Sequence, residues 1–449
     1  MLRSNLYAYL QLVEEERQKG WMFIDAICIN QDDLDERGSQ VVLIPDIYSK
    51  AKEVVAWLGS PSAPSTIASN ITAQVWARIE RLQSTPNADV ESALEQDSGY
   101  TLDEALGGLQ ACDDGHRHLF GATQYWRRLW IVQEVLLARV LLIRFGKHSI
   151  EWRLLESMLR RRLAMEITLN TTVLATKKTQ RTVHDVVMHQ LALSEATFAA
   201  GGILSDKRKY VDLHRLRLSL TVAVANYAGQ DCAVLHDKIF GLLGLTDSKL
   251  KPSYYMPLSE LFIRVFIECL LEYKTSIPTK DRRKVLANRH FDFNNTTVDD
   301  VPMTHMYGAL ASAFSLDIKD PAFQLLTSIA LKCCGFRDTV AKDLTFWQWA
   351  NPQIPDESQW RRIPKSSADA DQRLASASGK KDQFGYAGSY LRWRLHWVRT
   401  RRKLGAMERR DGRLFLSCDG TLHTISEWRA LIQDVYGDVV ASDKRWRTM

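Results

Sequence analysis

No run in this sequence is long and apolar enough to span a bilayer; the best candidate, Leu261 to Tyr273, is short and carries Arg264 and Glu268. A basic segment followed by an apolar core is missing from the N-terminus, so secretion is not expected. Glycine-rich phosphate cradles are missing too. There is no G-x-G-x-x-G fingerprint, and Gly146-Lys147-His148-Ser149 lacks the upstream glycine of a Walker loop. No Gly-x-Ser-x-Gly elbow appears, which argues against a serine hydrolase of that class. The seven cysteines are odd in number and scattered, as reduced thiols of a cytoplasmic protein would be. Cys112, Asp113, His116 and His118 are metal-binding types, but they match no standard zinc spacing and read as a polar loop. A large excess of one charge is also lacking, the net charge being only +6.

What the chain holds is the composition of an ordinary globular protein, 45% apolar and 25% charged, with 449 residues for two or three domains. Ser4 or Asn5 can cap a first helix with Leu6, Tyr9, Leu10 and Val13 on one stripe, and Gly20 stops it. The stretch Trp21 to Gly59 then reads as strand, polar turn, helix and strand. Residues 21 to 29 are nearly all apolar, which predicts a strand covered on both faces, as in a parallel sheet. Asp25 interrupts that run and needs a partner or a job. Asp32 or Asp33 can cap the next helix, and Asn30 and Gln31 fall at the carboxyl end of the predicted strand, where α/β folds bind ligands. Val41, Ile44, Tyr48 and Ala51 form the helix's apolar stripe, and Pro45 is expected to kink or split it. A second strand, Glu53 to Leu58, ends at Gly59 and completes a βαβ unit.

Residues 60 to 120, rich in Ser, Thr, Pro, Asp and Gly, read as an insertion with a helix around Ile71 to Leu82. Tyr125 to Arg139 is predicted as one helix with Trp126, Leu129, Trp130, Gln133 and Leu137 on a stripe. A glutamine inside such a stripe must find hydrogen-bond partners. Glu134 borders it, within reach of Arg127 or Arg128. A strand from Val140 to Phe145 follows, then Gly146. Residues 153 to 215 read as mostly helical, with His184, Asp185 and His214 on the surface. Farther on, Asp237 starts a short helix that Gly244 ends, and another helix begins at Ser259. Cys28, in an apolar run without a nearby histidine, reads as a structural thiol.

These blocks resemble the core of the fungal heterokaryon-incompatibility (HET) domain. Its first motif is matched by Trp21, Ile24, Asp25, Ala26, Cys28, Ile29, Asn30, Gln31, Glu36, Arg37, Gln40, Val41, Ile47, Tyr48, Ala51, Leu58 and Gly59. Ile44 stands where the family has Met, and Pro45 follows it. The second motif is matched by Trp126, Arg128, Trp130, Gln133 and Glu134. The third, Asp-Lys-x-(Tyr/Phe)-x-Leu-Leu-Gly-Leu, is matched from Asp237, with Ser253 replacing an aspartate downstream. Family members begin with a strand and loop, roughly Leu-Ser-Tyr-x-Trp-Gly, that is not found here, so the expectation is either a fragment or shortened sequence, or a variant of the domain without its first strand.

The resemblance implies an α/β fold, a parallel sheet with flanking helices (Toll/interleukin-receptor-like, flavodoxin-like), followed by a mostly helical C-terminal region. The implied organisation is a HET-like domain in 1–155, a helical region packing on it in 156–275, and a variable region in 276–449. The implied role is programmed cell death on non-self recognition, with protein partners or self-association. Some Toll/interleukin-receptor domains cleave NAD with one glutamate, which makes Glu134 the candidate catalytic residue, NAD a candidate substrate and no metal necessary. Asp25, Asn30, Gln31, Trp130 and Gln133 are the candidate ligand-binding residues. Each also has a structural reading, Glu134 as the partner of an arginine and Gln133 and Asp25 as buried anchors. The competing readings are a non-catalytic recognition or self-association signalling module and a degenerate fragment without activity. In the last region, Phe346-Trp347-Gln348-Trp349 weakly resembles a downstream family element, and 361–388 reads as a linker. Arginines interleaved with Trp393, His396 and Trp397 make 390–413 the one segment suited to nucleic acid, or else a solvated basic helix face.

Overall fold

In the computed structural model the described residues are 4–59, 124–156, 203–204, 206–211, 217–276, 301, 303–317, 319–336, 340, 386–410 and 412–447. The expectations for 71–82, 112–118, 184–185, 214 and 346–349 lie outside them. The chain forms two units, one of residues 1–29 with 43–216 and one of 30–42 with 217–449.

The first unit is built on a three-stranded sheet of order β1-β2-β3, with β1 at Val54–Trp57, β2 at Leu141–Phe145 and β3 at His148–Glu151. β1 and β2 run parallel, from Val54 opposite Leu141 to Trp57 opposite Arg144. β2 and β3 are antiparallel and turn at Gly146, whose φ of 58° suits a residue without a Cβ. The sheet is therefore mixed rather than wholly parallel. Ala56, Leu141, Ile143, Phe145 and Ile150 form its buried side with Trp126, Ile131 and Val135. Burying Trp126 completely contributes roughly 2 to 3 kcal/mol of hydrophobic stabilisation. Helix α1, Ser4–Glu15, buries Tyr9 and Leu12, and Tyr9 packs on Trp57 with ring centroids 5.2 Å apart. It stops before Gly20, at a turn in which Arg17 takes the left-handed φ of 50°. Just beyond it, Glu16 pairs with the buried Arg144 of β2, which holds the Glu16 carboxyl below its usual range.

The predicted strand at 21–29 is absent. Trp21 is 107% exposed and Ile27 52%, and Asp25–Cys28 form a short helical turn, α2. Asp25 opens that turn and accepts the Ala26 N–H at 2.7 Å, while Ile24 O accepts from Cys28 N at 2.8 Å. An aspartate gains at a helix N-terminus what it would lose inside a sheet. A short apolar run has no period that separates strand from helix, and β1 finds its parallel partner in β2 instead. Cys28 is exposed rather than a core thiol.

Helix α3, Leu34–Lys50, runs unbroken through Pro45. Asp33 caps it, accepting the N–H groups of Asp35 and Glu36 at 2.9 and 3.0 Å. Its last turn packs Tyr48, with the following Ala51, on the first unit's core. The single helix predicted over 125–139 is instead a 3-10 turn, Gln124–Arg127, and a separate helix α4, Ile131–Leu137. All residues of α4 except Glu134 are buried, so no stripe marks its limits.

The second unit is helical: α5 Leu220–Tyr227, α6 Asp237–Leu243, α7 Leu258–Ser276, α8 Met303–Ala313, α9 Pro321–Cys333, α10 Tyr386–Arg409 and α11 Ile425–Ser442. Its core is an aromatic cluster of Phe262, Phe266, Tyr307, Phe314 and Phe323 with centroid spacings of 5.3 to 5.8 Å. A hairpin of β4, Arg413–Phe415, and β5, Leu422–Thr424, precedes α11. Thr424 and Glu427 form a reciprocal capping box there. Among the described residues no helix is long and apolar enough to cross a membrane.

Candidate functional site

α4 carries Gln133 and Glu134 next to each other on opposite terms: Gln133 is fully buried and Glu134 keeps partial exposure. Trp130, just before the helix, is also partly exposed. The Glu134 carboxylate accepts the Tyr125 hydroxyl at 3.1 Å, and the Tyr48 phenol also acts on it. Three elements thus meet at one carboxylate: the 3-10 turn, the last turn of α3, and α4. Burial pushes the Glu134 carboxyl above its usual range; Arg128 opposes that rise, Asp25 adds to it, and the two phenols oppose it. Burial and the Glu134 charge likewise push both phenols well above the ordinary tyrosine range. Both therefore stay protonated as donors.

The cluster gathers Asp25 and Glu134, two of the residues singled out in the sequence, with Tyr48, Tyr125 and Arg128. Arg128, rather than Arg127, is the cation that acts on Glu134. The phenols belong to the matched blocks, but only tertiary contact shows that they point at one oxygen pair. Such a carboxylate can accept a hydroxyl or stabilise a developing cation. Among the described residues no group of three or more His, Cys, Asp or Glu could hold a metal.

Asn30 and Gln31 belong to the second unit and are exposed. There the Asn30 N–H donates to Glu36 at 2.9 Å, and Asn30 Oδ1 accepts from Asp32 N at 3.2 Å, so this motif segment builds the entry to α3. One turn on, Arg37 lies 4.2 Å above the Tyr254 ring and 3.6 Å from Asp237, and Tyr254 donates to Asp237 at 2.6 Å. The first and third sequence blocks are thereby tied together by a nearly buried ion pair. Replacing Arg37 with methionine should destabilise the second unit by about 2 kcal/mol, because Asp237 keeps only part of its compensation. Urea unfolding measures it, and an unchanged midpoint would assign the pair no role.

Residues 1–134 match the family described as "Heterokaryon incompatibility protein (HET)". A curated relative, "Heterokaryon incompatibility protein 6, OR allele" of Neurospora crassa, is 32% identical over 134 residues, 26% of this chain. The chain covers 19% of that relative's length. No solved structure matches. Residues 1–134 are thus similar to the heterokaryon incompatibility (HET) family, and the chain spans about a fifth of the length of the curated relative it matches.

Proposed function

We propose that this protein is of the heterokaryon-incompatibility type, that it promotes programmed cell death on non-self recognition, and that the Glu134 cluster cleaves NAD. The observation carrying the reading is the partly exposed Glu134 carboxylate, hydrogen-bonded by Tyr125 and acted on by Tyr48, Arg128 and Asp25. In the reaction the bond between the ribose C1′ and the nicotinamide nitrogen breaks. Its electron pair leaves with nicotinamide, which becomes neutral. The ribose takes on oxocarbenium character, which a nearby carboxylate stabilises. Water then bonds to C1′ and loses its proton. A Toll/interleukin-receptor-like arrangement of the sheet belongs to the same proposal, as do self-association and a cytoplasmic site of action.

Glu134→Gln keeps the shape of the side chain and removes its charge, so NAD hydrolysis by the purified chain should fall about 100-fold or more. Toxicity on expression should vanish with it. Hydrolysis unchanged in a folded Glu134→Gln protein would overturn the catalytic assignment. The second reading, a non-catalytic assembly module, is favoured by the two phenols that already engage Glu134 as a structural tie. It expects toxicity with no loss of NAD.

A further inference from the structure

The Glu134 site carries both signs of charge. Asp25, partly exposed, adds its negative charge to that of Glu134, while Arg128, exposed just after the 3-10 turn, opposes it. Arg128 also acts on Tyr48 and Tyr125, so its guanidinium is felt across the whole cluster. Yet it forms no ion pair with a described residue, Glu134 included, and its effect there is of charge rather than of a hydrogen bond. An exposed arginine so placed keeps its planar fork of N–H donors for an anion, and phosphate is one of the two anions that fork fits best.

NAD carries the matching charges. Its nicotinamide ring is a pyridinium cation while bonded to C1′, and its diphosphate is an anion attached one ribose away. With C1′ at Glu134, the pyridinium is attracted by Glu134 and Asp25, and the diphosphate by Arg128. A phosphate-free nucleoside brings only the cation, which Arg128 repels with no anion to compensate. We propose that Arg128 binds the substrate's diphosphate and makes the site select nicotinamide nucleotides over the nucleoside. This role rests on Glu134 acting at C1′ and adds to it the group that selects the substrate. The competing role for Arg128, a cation that only favours the ionised Glu134 carboxylate, affects both substrates equally, because both place C1′ at Glu134.

Steady-state hydrolysis of NAD and of nicotinamide riboside by the purified full chain tells the two roles apart. Arg128→Gln should raise KM for NAD and lower the ratio of kcat/KM for NAD to that for nicotinamide riboside about 30-fold, the loss of a charge-assisted phosphate contact. Arg128→Lys keeps the charge without the fork and should recover part of the ratio. Arg127→Gln removes the same charge from the neighbouring exposed residue and should leave the ratio unchanged. Equal losses for both substrates in Arg128→Gln would overturn the assignment and leave Arg128 a modifier of Glu134 alone. An equal fall of the ratio in Arg127→Gln would overturn it too, as an effect of general surface charge. Binding of ADP-ribose separates this assignment from the catalytic one. It should survive Glu134→Gln and weaken about 30-fold in Arg128→Gln. That pattern in a chain that hydrolyses neither substrate would sink the catalytic reading and uphold the phosphate contact. Absence of ADP-ribose binding, or binding indifferent to Arg128, overturns the contact whatever the hydrolysis.

Discussion

Replacing Lys207 with methionine is expected to destabilise the first unit by about 3 kcal/mol. Lys207 is completely buried, and its Nζ donates to the carbonyls of Val135 and Ala138, each at 2.8 Å. The ammonium also lies 5.1 Å from the centre of the Trp152 ring. The last carbonyls of a helix have no partner within it, and they form the negative end of its dipole. In α4 those groups are buried among Leu136, Leu137 and Ala138, so the lysine stands in for water. A hydrogen bond from a charged donor is worth about 1.5 to 3 kcal/mol, and methionine fills the stem's volume while offering neither bond. Relief of the buried charge offsets part of the loss, which keeps the total near 3 rather than 5 kcal/mol. Urea unfolding reads the loss, and faster hydrogen exchange at residues 136–139 localises it. Native-like exchange there, with an unmoved midpoint, would show that the carbonyls manage without this cation.

The same residue shows where reading the sequence stops. A lysine in a polar stretch looks like surface, and only the fold reveals that the end of a buried helix requires a cation. By contrast β1 and β2 are legible, because their apolar runs end at Gly59 and Gly146, where φ is 116° and 58°. A cap at Asp32 or Asp33 is legible, because a short acid before a helix has one dominant use, and the hydrogen bonds select Asp33. The misplaced elements share a cause. In 21–29 and 125–139 the apolar residues are too dense to carry a period; the first proves exposed and turned, the second buried on nearly every side. The Glu134 cluster is legible in part. Its acid is marked by its place in a motif, whereas the convergence of Tyr48 and Tyr125 depends on packing between distant segments.

Acidification from pH 8 to pH 5 should stabilise the second unit, by up to about 3 kcal/mol from one carboxyl group. Glu268 is 6% exposed on α7, one turn from the equally buried Glu272. Burial first, and the Glu272 charge second, push Glu268 from 4.5 to about 7. The opposing groups come from two other segments. The Ser248 hydroxyl donates to Glu268 at 2.9 Å, and Arg445 stands 3.6 Å away but is held closer by Asp443, at 2.6 Å. Asp443 adds to the rise, and Lys249 acts on Asp443. Cys269 is a further buried neighbour, its thiol pushed well up by burial. A carboxyl whose folded value exceeds its unfolded one binds its proton more tightly in the folded state. The stabilisation is therefore complete below about pH 4.5 and is lost as the pH rises through about 7. Glu268→Gln fixes the neutral form, so at pH 8 it should unfold at higher urea than the native chain, and its midpoint should vary less between pH 5 and 7.5. Glu272→Gln should not do the same, because Glu272 accepts the Leu220 and Thr221 N–H groups at 3.0 and 2.8 Å and holds the start of α5. Parallel pH profiles for the native chain and Glu268→Gln would mean that Arg445 compensates the ionised carboxylate in full.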